Sequence, residues 1–144
     1  MKKLLTVILL LTFVIGFAGL ASASPDWRIA TGDKQIDHYF DTQSFKTTGP
    51  QTYSVGVRMV YALYFGLQEA NRLGYDNPLG QIISTMEYNH ANRTARILST
   101  TYYDVNGTVI HASEVAESWK SNASYRSGKV MFNKTYEFYK NNYK

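Results

Sequence analysis

Apolar and polar side chains alternate along residues 53–61, and this period of two predicts a long β-strand. The residues on one of its faces are Tyr53, Val55, Val57, Met59 and Tyr61. Over residues 64–73 the apolar positions change to a helical period, and Gly74 follows where a helix would end. The pattern therefore predicts a strand that is central in a sheet, followed by a short helix.

Residues 81–113 predict three consecutive antiparallel strands, that is, a β-meander. The apolar and β-branched runs cover residues 82–88, 94–103 and 109–112. The second turn has Asp104 at its first position and Gly107 where the backbone φ must be positive. In the middle strand the apolar phase skips one position near Ile97, which predicts a β-bulge that curves the sheet.

The two ends of the chain complete the predicted fold. Trp27 and Ile29 lie on the buried face of a predicted opening strand, and residues 39–41 predict a second short strand. Aromatic residues spaced by four, three and four positions predict a C-terminal helix that begins near Ser124. They are Phe132, Tyr136, Tyr139 and Tyr143. The predicted fold is α+β: a curved antiparallel β-sheet of about five or six strands, with a short central helix and a C-terminal helix packed on one face.

The first 23 residues have the pattern of a secretory signal peptide. A basic start precedes an apolar run over residues 4–20, and Ala21 and Ala23 occupy the positions that signal peptidase requires. Cleavage would start the mature chain at Ser24 and leave residues 24–144 as a single domain. The alternative is an uncleaved anchor, although the apolar run is short for a spanning helix of roughly 20 residues.

The predicted export places the protein outside the cytoplasm, as a secreted, periplasmic or surface-associated product. The chain contains no Cys, so neither a lipid on cysteine nor a disulfide is expected, and no stable membrane anchor remains after cleavage. Its formal net charge of +4 would fall to about +2 without Lys2 and Lys3. Because no Lys/Arg cluster follows the spacing of phosphates, nucleic acid is not an expected partner.

The histidines and acidic residues form no recognisable catalytic or metal-binding motif. His38 is predicted in a loop, His90 in a hairpin turn and His111 in a strand, and no pair has the spacing of a helical metal site. The chain has neither a Cys nucleophile nor a Gly-x-Ser-x-Gly motif. We therefore expect no enzymatic activity and no cofactor. The alternatives are a small extracytoplasmic hydrolase, whose acidic residues meet only in the fold, and a purely structural envelope protein.

The 12 tyrosines either fill the core or form a binding surface, because Tyr is amphipathic and enriched in binding faces. We expect the following in the core: Tyr39, Tyr53, Tyr61, Tyr102 and Tyr136. We expect the following to be exposed: Tyr64, Tyr75, Tyr125 and Tyr143. The candidate binding surface combines tyrosines with two histidines, namely His38, Tyr64, Tyr75, His90 and Tyr125.

Several stretches follow one another in a characteristic order. They are Trp27 with Ile29, Tyr39-Phe40-Asp41 with Ser44-Phe45, the long strand with its short helix, and Asn92-Arg93-Thr94 leading through Tyr102-Tyr103-Asp104 to Asn106-Gly107-Thr108-Val109. They cover most of the predicted mature chain. Their order and spacing resemble the surface-adhesin protein E-like family of bacterial exported proteins.

The resemblance implies an antiparallel sheet with a C-terminal helix on its concave face. For the best-known member it also implies a dimer that binds host matrix proteins and haem, with a disulfide that this chain lacks the Cys to form. We therefore predict an exported, non-catalytic binding or adhesin-like module, with host or envelope proteins as partners and a homodimer as its assembly. If haem binds, His38 and His90 are the first candidates for an axial ligand.

Overall fold

A computed structural model describes residues 23–144 of the chain. The predicted signal peptide, residues 1–23, therefore lies outside the described residues except for Ala23. In the described part of the chain, no helix has both the length and the apolar character needed to cross a membrane.

Residues 23–144 form an antiparallel sheet with one helix in the middle of the sequence and one at its end. The strands are β1 (Trp27–Gly32), β2 (Ile36–Asp41), β3 (Lys46–Gly49), β4 (Thr52–Tyr61), β5 (Leu79–Asn89), β6 (Thr94–Asp104), β7 (Val109–Ser113) and β8 (Lys120–Ser121). The helices are α1 (Leu63–Leu73) and α2 (Gly128–Tyr143), and a 3₁₀ turn (Asn122–Ser124) precedes α2. The main sheet has the order β1-β2-β4-β5-β6-β7, while β3 pairs with β4 and β8 with β6. This curled sheet with its two helices confirms the predicted α+β class.

The long strand and the helix that follows it form as the sequence pattern predicts. β4 pairs with β2 on one side and with β5 on the other, so it is central in the sheet. The buried residues on its inward face are Tyr53, Val55 and Val57. Gly74 ends α1 with a φ of 81°, and Gly107 has a φ of 82° in the last turn of the meander. Both glycines occupy the left-handed region that other residues avoid.

The meander β5–β6–β7 contains the predicted bulge. Ser99 pairs with Thr85, but the next pair along is Ile97 with Met86, so Leu98 is the extra residue. A bulge shifts the alternation by one position and increases the local twist. It therefore keeps the apolar residues on both sides of it on the same concave face.

The prediction for the first strand is wrong in its orientation. Ile29 is 61% exposed, because β1 is an edge strand and Ile29 pairs with Tyr39, which alternates with the inward-facing residues of β2. Arg28 lies on the other side of β1, and its guanidinium carbon is 5.3 Å from the ring centre of Phe138 in α2. The aliphatic stem of an arginine can cover apolar surface at such an edge.

The second strand is longer than the sequence pattern predicts. β2 begins at Ile36, so His38 lies in a strand and not in a loop. Its inward-facing residues are Ile36, His38 and Phe40, all of which are buried. His38 at an inward position interrupts the alternation of apolar and polar residues, so the sequence pattern did not predict the first half of β2.

The C-terminal helix begins later than predicted. Ser124 lies in the 3₁₀ turn, and Ser127 has a φ of 53°, so α2 can begin only at Gly128. The buried residues of α2 include Met131, Phe132, Thr135 and Tyr139. Within the predicted aromatic stripe, Tyr136 is half-buried at the margin and Tyr143 is exposed. The helix covers the sheet as expected, with a buried face centred on different residues.

Two apolar clusters lie on the concave face of the sheet. The cluster beneath α2, called here the α2 core, contains Phe40, Phe45, Tyr53, Val55, Val57, Met86, Tyr88, Ala95, Met131, Phe132 and Tyr139. The cluster beneath α1, called here the α1 core, contains Ala70, Leu79 and Ile82. The α1 core is the smaller because α1 is short and covers only the end of β4 and β5.

The tyrosines divide differently from the prediction. Tyr53 is fully buried, whereas the other four expected in the core are half-buried: Tyr39, Tyr61, Tyr102 and Tyr136. Tyr64 and Tyr143 are exposed as expected, whereas Tyr75 and Tyr125 are half-buried. The half-buried rings that pack at the margins of the two cores are Tyr61, Tyr75, Tyr102, Tyr125 and Tyr136.

Candidate functional site

A cavity of about 230 Å³ lies on the concave face, between the α1 core and the α2 core. Residues of β2, β4, β5 and β6 line it, together with Glu69 of α1, the segment before α2 and the first turn of α2. Its apolar lining is Val57, Met59, Ile82, Met86, Ile97 and Met131. Its polar and aromatic lining includes His38, Tyr61, Glu69, Ser84, Tyr102, Asn122, Tyr125 and Arg126. An apolar cavity with a few polar groups is typical of small-molecule sites.

His38 projects from β2 into the lining of this cavity and is only 3% exposed. Neither Nδ1 nor Nε2 has a hydrogen-bond partner among the described residues. Burial lowers the pKa of His38 below its ordinary value, and the positive charge of Arg126 lowers it further. The ring is therefore neutral near pH 7, with one N–H donor and one acceptor nitrogen.

Asn122 is the second buried polar residue of the lining, at 4% exposed. Its backbone N–H donates to the Arg93 carbonyl at 3.1 Å, and its carbonyl accepts from the Tyr125 N–H at 3.3 Å. The side-chain Nδ2 has no partner among the described residues. Gly128 packs so closely on the Asn122 carbonyl that a Cβ would overlap it, which fixes the turn against the start of α2. The amide therefore offers two N–H donors from a fixed backbone.

Arg126 and Glu69 lie where the cavity meets the surface. Glu69 forms an ion pair, whereas Arg126 forms none with a described residue. Arg72 binds the Glu69 carboxylate through both oxygens, at 2.8 and 2.6 Å. These bonds hold the pKa of Glu69 below its ordinary value. Arg126 donates from Nη2 to the Gln35 side-chain oxygen at 2.6 Å and forms no ion pair within residues 23–144. The mouth therefore carries an unmatched positive charge.

Tyr125 forms part of the wall beside Asn122. Its hydroxyl lies 3.1 Å from a carboxylate oxygen of Glu117 and 3.4 Å from the Ala95 carbonyl, and it can donate to either. Burial raises the pKa of Tyr125 to about 12, and the charge of Glu117 contributes. The phenol is therefore neutral and already bonded to the protein, so we assign it a packing role.

The N-terminus of α2 adds to the positive character of this wall. Gly128, the first helical residue, lines the cavity, and its N–H donates to the Tyr125 carbonyl at 2.9 Å. The first N–H groups of a helix have no intrahelical acceptor, and the helix dipole places a partial positive charge there. The N-terminus of α2 and the Arg126 guanidinium thus lie on the same side of the cavity.

The structure brings together part of the predicted binding surface. Two of its five residues line the cavity: His38 and Tyr125. Tyr64 is 65% exposed on the outside of α1, and Tyr75 packs at the margin of the α1 core. His90 lies near the other end of α2, where its Nε2 is 3.1 Å from Lys144 Nζ. These three residues therefore belong to separate places on the surface.

Sequence reasoning missed Asn122, Arg126 and Glu69 as residues of one site. Each is an isolated polar residue without a motif around it, and the three come from a 3₁₀ turn, an irregular segment and α1. One signal was present in the sequence. Gly128 inside the predicted C-terminal helix indicates a later helix start and a close backbone approach.

The opposite, convex face of the sheet has a different character. The guanidinium of Arg58 lies between two rings, with its carbon 4.8 Å from the ring centres of Trp27 and Tyr39. The guanidinium carbon of Arg96 lies 4.7 Å from the ring centre of Trp119. Arginines stacked on aromatic rings are frequent in protein-binding surfaces.

Metal, haem and hydrolytic chemistry each require particular groups close together. No group of three His, Asp or Glu side chains within residues 23–144 could hold a metal ion. His38 and Glu69 share the cavity, but Arg72 holds the Glu69 carboxylate and no hydrogen bond joins it to the imidazole. Drug-sized ligands occupy pockets of roughly 300–1,000 Å³, and a porphyrin is larger than most of them. A cavity of about 230 Å³ is too small for haem, so haem does not fit the cavity that His38 lines.

Comparisons with known proteins leave the family open. The sequence matches no family model, and neither a curated protein nor a solved structure matches the chain. The resemblance to the surface-adhesin protein E-like family stays a prediction.

Proposed function

We propose that this protein is an exported, non-catalytic binding protein that holds one small, largely apolar molecule in the cavity between α1 and α2. The observation that carries the proposal is the pair of buried polar side chains without partners, His38 and Asn122. Each such group costs about 1–3 kcal/mol when it is left unpaired, and native proteins contain few of them. A molecule that hydrogen-bonds to both would remove this cost.

The rest of the cavity supports the same proposal. Its aliphatic and methionine side chains contribute roughly 25 cal/mol for each Å² of apolar ligand surface that they bury. Methionine is flexible and polarisable, so Met59, Met86 and Met131 can adapt to the shape of a ligand. The volume of about 230 Å³ limits the ligand to a small molecule.

A fragment screen by NMR tests this function with a matched pair of variants. Ile82 lines the cavity, whereas its neighbour Ile83 points to the opposite face, because successive residues of a strand alternate. Ile82→Phe should fill the cavity and abolish fragment binding, while Ile83→Phe should leave binding unchanged. The proposal fails if no fragment shifts the resonances around His38, or if Ile82→Phe binds fragments as the wild type does.

Export is a separate part of the proposal. It rests on the basic start, the apolar run and the Ala21–Ala23 pattern at the beginning of the sequence. Mass spectrometry of the product outside the cytoplasm should give an N-terminus at Ser24. A mature product that retains residues 4–20 would contradict cleavage.

A second candidate function is binding of host or envelope proteins through the convex face, as an adhesin-like module. The stacking of Arg58 between Trp27 and Tyr39 favours it, because such clusters are enriched in interfaces. Surface plasmon resonance against purified matrix proteins and peptidoglycan fragments tests it. The Trp27→Ala variant should lose binding, while the control Val115→Ala, at another exposed site, should retain it. Equal binding by both variants would exclude this face.

The hydrolase alternative has its own test. A panel of ester, amide and glycoside substrates would be assayed with the wild type and with His38→Gln, since His38 is a buried titratable residue of the cavity with no hydrogen-bond partner. Turnover that disappears in His38→Gln would replace the binding proposal with an enzymatic one.

Sedimentation analysis of the same samples tests the proposed homodimer.

A further inference from the structure

We infer that the ligand of this cavity is a small monocarboxylate, with its carboxylate between Arg126, Asn122 and His38 and its apolar part along the methionine-lined floor. This inference rests on the proposed function and specifies the class of ligand. It follows from the balance of donors and acceptors, from the charge at the mouth and from the shape of the apolar lining.

The unpaired polar groups of the cavity are mainly donors. Asn122 Nδ2 carries two N–H groups, and the neutral His38 ring carries one. Two acceptors in the lining are already engaged, because Glu69 accepts from Arg72 and Ser84 Oγ lies 2.9 Å from Thr100 Oγ1. The second nitrogen of His38 is an acceptor without a partner among the described residues. An ionised carboxylate has two oxygens with about four acceptor sites and no donor, which complements this set.

The charge of the site favours an anion over a neutral acceptor. Arg126 at the mouth forms no ion pair with a described carboxylate, whereas Arg72 and Glu69 pair with each other. Gly128, the first residue of α2, also lines the cavity, and the helix dipole places a partial positive charge at that end of the helix. The bond from Arg126 to the neutral Gln35 amide is one that a carboxylate can replace with a stronger, charge-assisted bond.

The apolar lining defines the other half of the ligand. The apolar side chains that line the cavity include Val57, Ile82, Met86, Ile97 and Met131. A ligand with a single anionic end and a short apolar body matches this division. Phosphorylated sugars and nucleotides do not match it, because their bodies are polar throughout and would leave their own groups unpaired.

A titration that compares an acid with its neutral isostere tests the inference. Hexanoate and hexanamide have nearly the same shape and differ in charge and in one donor group. We expect chemical-shift changes at the cavity residues with both, and an affinity at least about tenfold higher for hexanoate, as for one charge-assisted hydrogen bond. Equal affinities would overturn the inference and leave the proposed function intact.

The arginine variants show where the difference arises. Arg126→Gln should lower the affinity for hexanoate about tenfold and leave that for hexanamide unchanged. Arg28→Gln is the matched control, because Arg28 lies beside Phe138 and does not line the cavity. An Arg126→Gln variant that binds hexanoate like the wild type would overturn the inference. If neither compound binds and the fragment screen also finds no cavity ligand, the proposed function itself fails.

Discussion

The hydroxyl oxygens of Tyr53 and Thr135 lie 2.9 Å apart where β4 meets α2. Both residues are fully buried in the α2 core. Thr135 Oγ1 also donates to the Met131 carbonyl at 2.8 Å, so the Tyr53 hydroxyl is the donor to Thr135. Burial raises the pKa of Tyr53 far above its ordinary value, and the phenol therefore keeps this proton. A directional bond thus joins the centre of the sheet to the helix that covers it.

This direction of donation predicts unequal effects for the two partners. Thr135→Val leaves the buried Tyr53 hydroxyl without an acceptor and should cost about 1–3 kcal/mol of unfolding free energy. Tyr53→Phe removes the donor but leaves Thr135 bonded to Met131, so it should cost less, about 0.5–1.5 kcal/mol. Urea denaturation of both single variants and the double variant measures this. In the Tyr53→Phe background, Thr135→Val should be nearly neutral, and equal costs for the two single variants would contradict the assigned direction.

The buried tyrosine of α2 is Tyr139 and not Tyr136. Tyr139 is 3% exposed, stacks on Tyr53 at 4.5 Å between ring centres, and bonds Thr47 Oγ1 at 2.8 Å. Tyr139→Ala should therefore cost about 3–5 kcal/mol, and the half-buried Tyr136→Ala should cost distinctly less. The exposed Lys134→Ala should change stability by under about 0.5 kcal/mol. Denaturation midpoints rank the three variants. A midpoint for Tyr136→Ala below that for Tyr139→Ala would show that Tyr136 contributes more to stability than Tyr139.

Gly128 tests whether the turn that carries Asn122 depends on a close backbone contact. A Cβ at this position would overlap the Asn122 carbonyl oxygen, which belongs to rigid backbone. Gly128→Ala should therefore destabilise the protein by about 1–3 kcal/mol, although alanine favours helix formation. The neighbouring Lys129→Ala is the control, because Lys129 is exposed. Thermal unfolding that gives both variants the wild-type midpoint would show that the turn can move.

His38 predicts a loss of stability in mild acid. Burial, and then Arg126, lowers its folded pKa below the unfolded value of about 6.5, while Asp33 and Asp37 act in the opposite direction. As the pH falls below about 6.5 the unfolded chain binds the proton first, so the unfolding free energy should fall by at most about 1.4 kcal/mol for each pH unit. The His38→Gln variant should lack this contribution to the fall in unfolding free energy.

Denaturation at several values between pH 7 and pH 5 separates His38 from the other histidines. The pKa of His90 is also lowered, by partial burial and by Lys144, so His90→Gln must be measured in parallel. The exposed His111→Gln serves as the matched control. A wild type and a His38→Gln variant with the same pH dependence would show that His38 is accessible to protons in the folded protein.

Elements whose signal is local could be predicted from the sequence. The alternation along β4, the turn glycines Gly74 and Gly107, and the phase shift at the bulge each arise from backbone geometry within a few residues. The aromatic spacing near the C-terminus likewise predicted a helix that covers the sheet. The α+β class followed from the order of these elements.

The cavity and its polar groups come together only in the folded chain. Arg126 meets Gln35 across 91 positions of the sequence, and His38 becomes a buried residue only because β2 pairs with β4 beneath the first turn of α2. Isolated His, Asn and Arg residues have no periodicity that marks them as inward-facing. Whether they are paired or unpaired depends on which groups the fold places within hydrogen-bond distance, and separations of that length leave no local trace in the sequence.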